Sequence, residues 1–153
     1  MANIEKALGN TTYRNEYQKA IASIFFTCRW MEYYYQQHLG HFGITWQQFY
    51  ALRILKIRHP QPANLNLLKE KMIDKNSDVS RIVERLRKMN LVERRLNKDD
   101  RRHVDITITR KGMELLEKIK KRDHEIESVL YNLTEKEVKQ LNRLLDKIFD
   151  GKL

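Results

Sequence analysis

Two groups of residues in this chain carry chemistry directed at an anion. Val79, Ile82, Val83, Leu86 and Met89 recur at helical spacing and would face a core. That stripe leaves Ser77, Asp78, Ser80, Arg81, Glu84, Arg85, Arg87 and Lys88 on the other faces. Arg81 and Arg85 fall one turn apart, where guanidinium groups can reach a guanine edge or phosphates. Ser77 and Ser80 are small and polar, so a polyanion could approach closely. The second group is Arg101 and Arg102, set in the wholly polar run 97–103 where no core needs them. An arginine on a thin projection can enter a narrow minor groove, where the potential is most negative. The bland alternative for the first group is an ordinary solvated helix face.

Other reactive types are isolated. Cys28 excludes an intramolecular disulfide and a cysteine zinc cluster within one chain. It also lies on an apolar helical stripe, which predicts a buried, inert thiol rather than a redox switch. His38 and His41 have a zinc-like separation, but Gly40 intervenes and no nearby carboxylate or thiol completes a set. The sequence has no phosphate-binding glycine loop, nucleophile elbow or His/Cys/carboxylate triad. No catalytic residue, metal or cofactor is therefore expected, and the chain does not read as an enzyme.

Placement of charge supports the anion reading. The 153 residues carry 30 Lys and Arg against 20 Asp and Glu, a net charge of +10. Residues 45–110 hold 16 basic and 8 acidic side chains, so most of the excess sits in the middle of the chain. Such a centre is drawn to a polyanion, nucleic acid or an anionic membrane surface, through counterion release; the bland alternative is a surface kept soluble by charge. No apolar run approaches the roughly 18 residues of a membrane span, and the polar start Met1-Ala2-Asn3-Ile4-Glu5-Lys6 has no signal-peptide core. We expect a cytoplasmic protein with no membrane partner.

The elements that must position these residues are mostly helical. Residues 13–39 contain no proline or glycine and repeat Tyr17, Ile21, Ile24, Phe25, Cys28, Met31 and Tyr35. After Gly40-His41-Phe42-Gly43, Thr45 and Gln48 form a capping box with Ile44 and Phe49 as its staple. That helix should end before His59-Pro60. Asn64 can cap a short third helix, and a fourth should start near Asn76 or Ser77. The period then changes to two: residues 91–96 and the alternating Val104, Ile106 and Ile108 predict a hairpin with a charged tip. Thr109 can cap one long helix through Leu115, Leu116, Ile119, Ile126, Val129 and Leu130. Thr134 and Glu137 repeat the capping box, starting a last helix through Leu141, Leu144, Leu145 and Ile148. Two short helices, an amphipathic helix and a basic-tipped hairpin make the order of a winged helix-turn-helix.

At the hairpin the pattern becomes specific. Asp100-Arg101-Arg102-His103-Val104-Asp105-Ile106-Thr107-Ile108-Thr109-Arg110-Lys111-Gly112 resembles the wing signature of the MarR (multiple-antibiotic-resistance regulator) family of transcription factors. The signature is Asp-x-Arg, two spaced aliphatics, then Thr-x-x-Gly; Asp100, Arg102, Ile106, Ile108, Thr109 and Gly112 match. Residues 79–94 look like the family's recognition helix and first wing strand, and residues 44–49 like its second-helix entry. The resemblance spans residues 17–149.

The resemblance implies a mainly α fold with a small β-hairpin wing: a winged helix-turn-helix with an all-helical dimerisation region. One MarR-like domain would cover 1–153, with DNA binding at 45–110 and dimerisation through 12–40 and 111–150. Asn76, Ser77, Asp78, Ser80, Arg81, Arg85, Arg101 and Arg102 would face double-stranded DNA, with Arg102 in the minor groove and Asp100 bracing the wing. The function implied is a sequence-specific regulator, a repressor, binding a pseudo-palindromic operator as a homodimer. Family members bind small aromatic or phenolic acids between the first helices and the winged domain. Arg29, Trp30, Tyr33, Tyr34, Trp46 and Arg53 are the candidates for such an effector pocket; the alternative is that these rings are dimer core. The cysteine of peroxide-sensing members would align with Ile21, not Cys28. A non-sequence-specific architectural DNA binder or a protein-interaction winged helix is the competing function.

Overall fold

The computed structural model describes residues 4–9, 12–97 and 104–150. After a single turn, α1 (Ile4–Ala7), the long α2 (Glu16–Gly40) is capped by Asn15, whose side chain accepts the Gln18 N–H. Then come α3 (Trp46–Arg58), α4 (Leu65–Lys71) and α5 (Val79–Lys88), followed by the strands β1 (Val92–Leu96) and β2 (Val104–Ile108). The chain closes with α6 (Arg110–Lys120), α7 (Asp123–Glu127), a 3-10 turn (Ser128–Leu130) and α8 (Glu135–Phe149). No helix among the described residues is long and apolar enough to cross a membrane.

The predicted capping boxes are both present. Thr45 accepts from Gln48 N while Gln48 Oε1 accepts from Thr45 N, and Thr134 and Glu137 do the same at the start of α8. Asn64 caps α4 as expected. β1 and β2 pair antiparallel from Val92 opposite Ile108 to Leu96 opposite Val104. Ala63 exchanges two backbone hydrogen bonds with Ile106, at 2.9 and 2.8 Å, an isolated antiparallel bridge on the other edge of β2.

One core holds these elements together. Leu39, Leu52, Leu55, Leu68, Val83, Leu86, Val92 and Ile106 are fully buried. They come from the end of α2, from α3 to α5 and from the hairpin, with Leu116 and Ile119 of α6 closing one side. The family-signature residues at the wing's base have a clear physical task. Thr109 Oγ1 accepts the Gly112 N–H at 3.0 Å and donates to Asn90 O at 2.8 Å. A Cβ on Gly112 would collide with the Leu91 carbonyl and come within 2.8 Å of Ile108.

Three expectations are corrected. The fourth helix starts at Val79, with Asp78 as its cap, because the Asn76 and Ser77 amides bond back to Asp74. The long helix through Leu130 is broken at Lys121 and Arg122, where tertiary contacts described below displace the helical ladder. Cys28 is exposed rather than buried, as are Ile21, Ile24 and Phe25 of the same stripe. The reason is common to all four: nothing among the described residues covers that face of α2. No residue of α8 is buried either.

Candidate nucleic-acid interface

The α5 surface is built from the inside outward. Val79, Val83 and Leu86 are buried, which fixes the rotation of the helix and turns Ser80, Arg81 and Arg85 to solvent. Asp78 is consumed by capping: its Oδ1 accepts the Arg81 N–H at 3.0 Å. Asn76 is exposed, while the Ser77 hydroxyl oxygen is buried without a hydrogen-bond partner. Of the residues expected to face bases, Ser80, Arg81 and Arg85 on α5 and Asn76 in the turn before it therefore present side chains outward. Asp100, Arg101 and Arg102 lie outside the described residues.

The basic side chains of this region fall into two classes. Arg87 is held by Glu84 through two hydrogen bonds of 3.0 and 2.8 Å, with Arg94 at 3.7 Å from the same carboxylate. The Arg87 guanidinium keeps the Glu84 carboxyl below its ordinary pKa. Among the described residues, Arg81 and Arg85 have no ion pair and are free to meet an external anion. Beside them an open cavity of about 220 Å³ separates the start of α3 from α5. It is lined by Thr45, Gln47, Asp74, Ser77, Asp78, Arg81 and Arg85. Sequence reasoning passed over Gln47, because the adjacent Gln48 absorbed the capping signal; Gln47 itself stays half-exposed at the cavity.

The six residues expected to line an effector pocket do not converge. Arg29 is on the surface, paired with Glu32. Trp30 stacks on Tyr34 with ring centroids 5.9 Å apart, and Tyr33 is exposed. Tyr34 donates its hydroxyl to Glu125 O, and Trp46 packs on Tyr35, Phe49 and Tyr50. Only Arg53 among the six lines the cleft of about 360 Å³ that α2, α3, α6 and α7 enclose. Its other walls include Tyr35, Phe49, Lys56, Lys120 and Asp123. Arg53 lies over the Phe49 ring at 5.8 Å, and Lys56 is paired with Glu117. Burial, with a smaller contribution from Asp123, raises the Tyr35 pKa and keeps the phenol protonated as a donor. The signal that could have found this cleft was the spacing of Phe49, Arg53 and Lys56 along one face of α3. His38 is buried against Glu125, while His41 is exposed, so the two histidines do not share a site. No group of metal-binding side chains exists among the described residues.

Comparison with known proteins gives consistent results. The family model described as "MarR family" matches residues 44–104. The HTH-type transcriptional regulator MgrA of Staphylococcus aureus is 28% identical over 116 residues, covering 76% of this chain and 77% of the relative. A MarR-like transcription regulator of Bacillus cereus superposes with a TM-score of 0.81 at 17% identity, over 90% of this chain and 99% of that one. A cysteine variant of Escherichia coli MarR, complexed with operator DNA, gives 0.75 at 24% identity, over 90% and 99%. The S. aureus MepR–DNA complex gives 0.73 at 22% identity, over 92% and 99%.

Proposed function

Because residues 44–104 match the MarR family model and the regulator MgrA is 28% identical over 116 residues, we propose that the chain is a MarR-family transcription regulator, that it represses its target genes as a homodimer on a pseudo-palindromic operator, and that a small-molecule effector releases it. One observation carries the DNA-reading half of this proposal. On α5 the arginines nearest the helix start, Arg81 and Arg85, have no ion pair among the described residues, whereas Arg87 is neutralised by Glu84. A helix whose N-terminal part offers uncommitted guanidinium groups is suited to base edges in the major groove. The relatives solved with DNA, MarR and MepR, share this fold, which supports the same docking here.

In this reading residues 45–110 bind DNA and residues 12–40 and 111–150 dimerise. Asn76, Ser80 and Arg81 read the major groove, with Gln47 added from α3, while Arg85, one turn on, neutralises phosphate beside it. Asp78 caps the helix start, and Arg101 and Arg102 reach the minor groove, braced by Asp100. The dimer half rests on exposed apolar side chains: Phe25 on α2 is 68% exposed and Leu144 on α8 is 54% exposed. Surfaces of this kind call for a partner, and a second copy supplies a two-fold arrangement that mirrors a palindrome.

The effector would occupy the cleft beside Tyr35 and Arg53. Its volume of about 360 Å³ suits a small aromatic acid. Phe49 would flank the ring of such a ligand, and Arg53 or Lys120, unpaired among the described residues, would take its carboxylate.

The decisive experiment is selection of bound sequences from random DNA, repeated with candidate phenolic acids. A regulator enriches one inverted-repeat motif and prefers it by roughly 10³-fold or more over unrelated DNA. Enrichment of no motif would indicate an architectural DNA binder, and absence of DNA binding would indicate a protein-interaction module. Either result overturns the proposal.

A further inference from the structure

The break between α6 and α7 is held by a clasp. The apolar spacing of Leu116, Ile119, Ile126 and Leu130 suits one continuous helix, yet Arg122 leaves helical geometry at φ −111° and ψ 12°, without a side-chain cap. Glu125 gathers the reasons. Its carboxylate accepts both arms of the Arg122 guanidinium, at 2.5 and 2.8 Å, and lies 3.2 Å from His38 Nδ1 on α2. Its backbone carbonyl accepts the hydroxyls of Tyr34 and Ser128, at 3.1 and 2.7 Å. The Arg122 guanidinium also covers the Phe42 ring at 5.7 Å. His38 is 6% exposed and its Nε2 has no hydrogen-bond partner among the described residues, so the Glu125 carboxylate is the polar contact of the imidazole.

We infer that Arg122, Glu125 and His38 are positioning residues for operator recognition: they set the angle between the winged core and the α7–α8 arm, and so the half-site spacing that the protein accepts. The inference rests on the dimer reading above. On that reading α8 and the exposed part of α2 join the two copies, while α5 reads each half-site. The angle at the break therefore fixes the separation of the two recognition helices. The lever is long enough to matter. α6 has 11 residues, or about 16 Å at 1.5 Å per residue. A rotation of about 10° at its end moves the far end by about 3 Å, close to the ~3.4 Å rise of one base pair.

The test uses the full-length protein and its selected operator, with spacers lengthened or shortened by one or two base pairs. Arg122→Gln and His38→Gln are compared with wild type in spacer selectivity, affinity for an isolated half-site, sedimentation and amide hydrogen exchange over residues 122–126. We expect both variants to remain dimeric, to bind an isolated half-site as wild type does, and to exchange faster at the break. Their preference for the optimal spacer should fall by about tenfold, equivalent to roughly 1.4 kcal/mol of lost discrimination. Glu125→Gln, which keeps one acceptor for Arg122, should lose less of it than Arg122→Gln does. Unchanged spacer selectivity in dimeric variants overturns the inference and leaves the dimer reading standing. A monomeric wild type overturns both, and sedimentation alone identifies that case.

Discussion

Asp78 Oδ1 accepts the backbone N–H of Arg81 at 3.0 Å, so the residue that caps α5 is bonded to the first residue on it whose guanidinium has no ion pair among the described residues. On the proposed function, stability and DNA reading would meet at this one hydrogen bond. Asp78→Ala should lower the unfolding free energy by about 1 kcal/mol, the ordinary cost of a lost N-cap. It should also weaken operator binding, because the first turn frays where Ser80 and Arg81 present themselves. Asp78→Asn keeps an acceptor and should restore the urea midpoint. Equal midpoints for all three proteins would show that the cap contributes nothing.

The paired and unpaired arginines of α5 should behave differently. Arg81→Ala is expected to lower the preference for operator over random DNA by about 1–3 kcal/mol per half-site, the range for removing a bidentate hydrogen-bonded pair with a base. Arg85→Ala should weaken binding and flatten the log–log salt dependence by about one unit for each phosphate it no longer neutralises. Arg87→Ala removes a side chain already neutralised by Glu84 and should change neither quantity much. Titrations at several salt concentrations decide the matter; an Arg87 variant that loses as much preference as the Arg81 variant would refute this division of roles.

How far the sequence disclosed this arrangement depended on the range of the interactions. Local signals were readable: the Thr45–Gln48 and Thr134–Glu137 boxes, the Asn64 cap and the period-two strands all depend on residues within a few positions. The stripe Val79, Ile82, Val83 and Leu86 likewise fixed which face of α5 is exposed. Long-range effects were not readable. The break at Arg122 needs Tyr34, His38 and Phe42, residues about 80 to 90 positions away, to outweigh a helical pattern that is sound on its own. The cleft failed for the same reason. Aromatic residues crowded into one stretch of sequence, yet α2 turns Trp30 and Tyr33 outward while Tyr35 faces Arg53. Cys28 looked buried because an apolar stripe does not state whether its cover lies in the same chain.

Among the described glycines, Gly112 is the one where an added methyl group meets other atoms. Its Cα sits so close to the Leu91 carbonyl and to Ile108 that an added Cβ cannot be accommodated without moving the hairpin base. Gly112→Ala should cost about 1–3 kcal/mol, the usual penalty for overpacking. Thr109→Val, which removes the acceptor for the Gly112 N–H and the donor to Asn90 O, should destabilise by a comparable or smaller amount. Thermal melts of both variants check the expectation. A Gly112→Ala protein as stable as wild type would show that the wing base relaxes freely.

The dimer reading makes the strongest demand on the exposed helices. Leu141, Leu144, Leu145 and Ile148 form a stripe along α8 that nothing among the described residues covers, while the core from Leu39 to Ile119 is closed without it. A charge placed in the stripe should therefore disrupt association and leave the winged core folded. Leu144→Asp should shift the protein from dimer to monomer at micromolar concentration, since an unpaired carboxylate in an apolar interface is strongly unfavourable. Lys139→Asp, on the same helix but at a charged position paired with Glu135, should leave the dimer intact. Sedimentation velocity reads the oligomeric state, and far-ultraviolet circular dichroism checks that helix content outside α8 survives. The monomer should retain weak, salt-sensitive binding to a half-site and lose the cooperative binding to the full palindrome, because one recognition helix reads only one half. A Leu144→Asp protein that stays dimeric and binds the full operator like wild type would mean that α8 is not the interface.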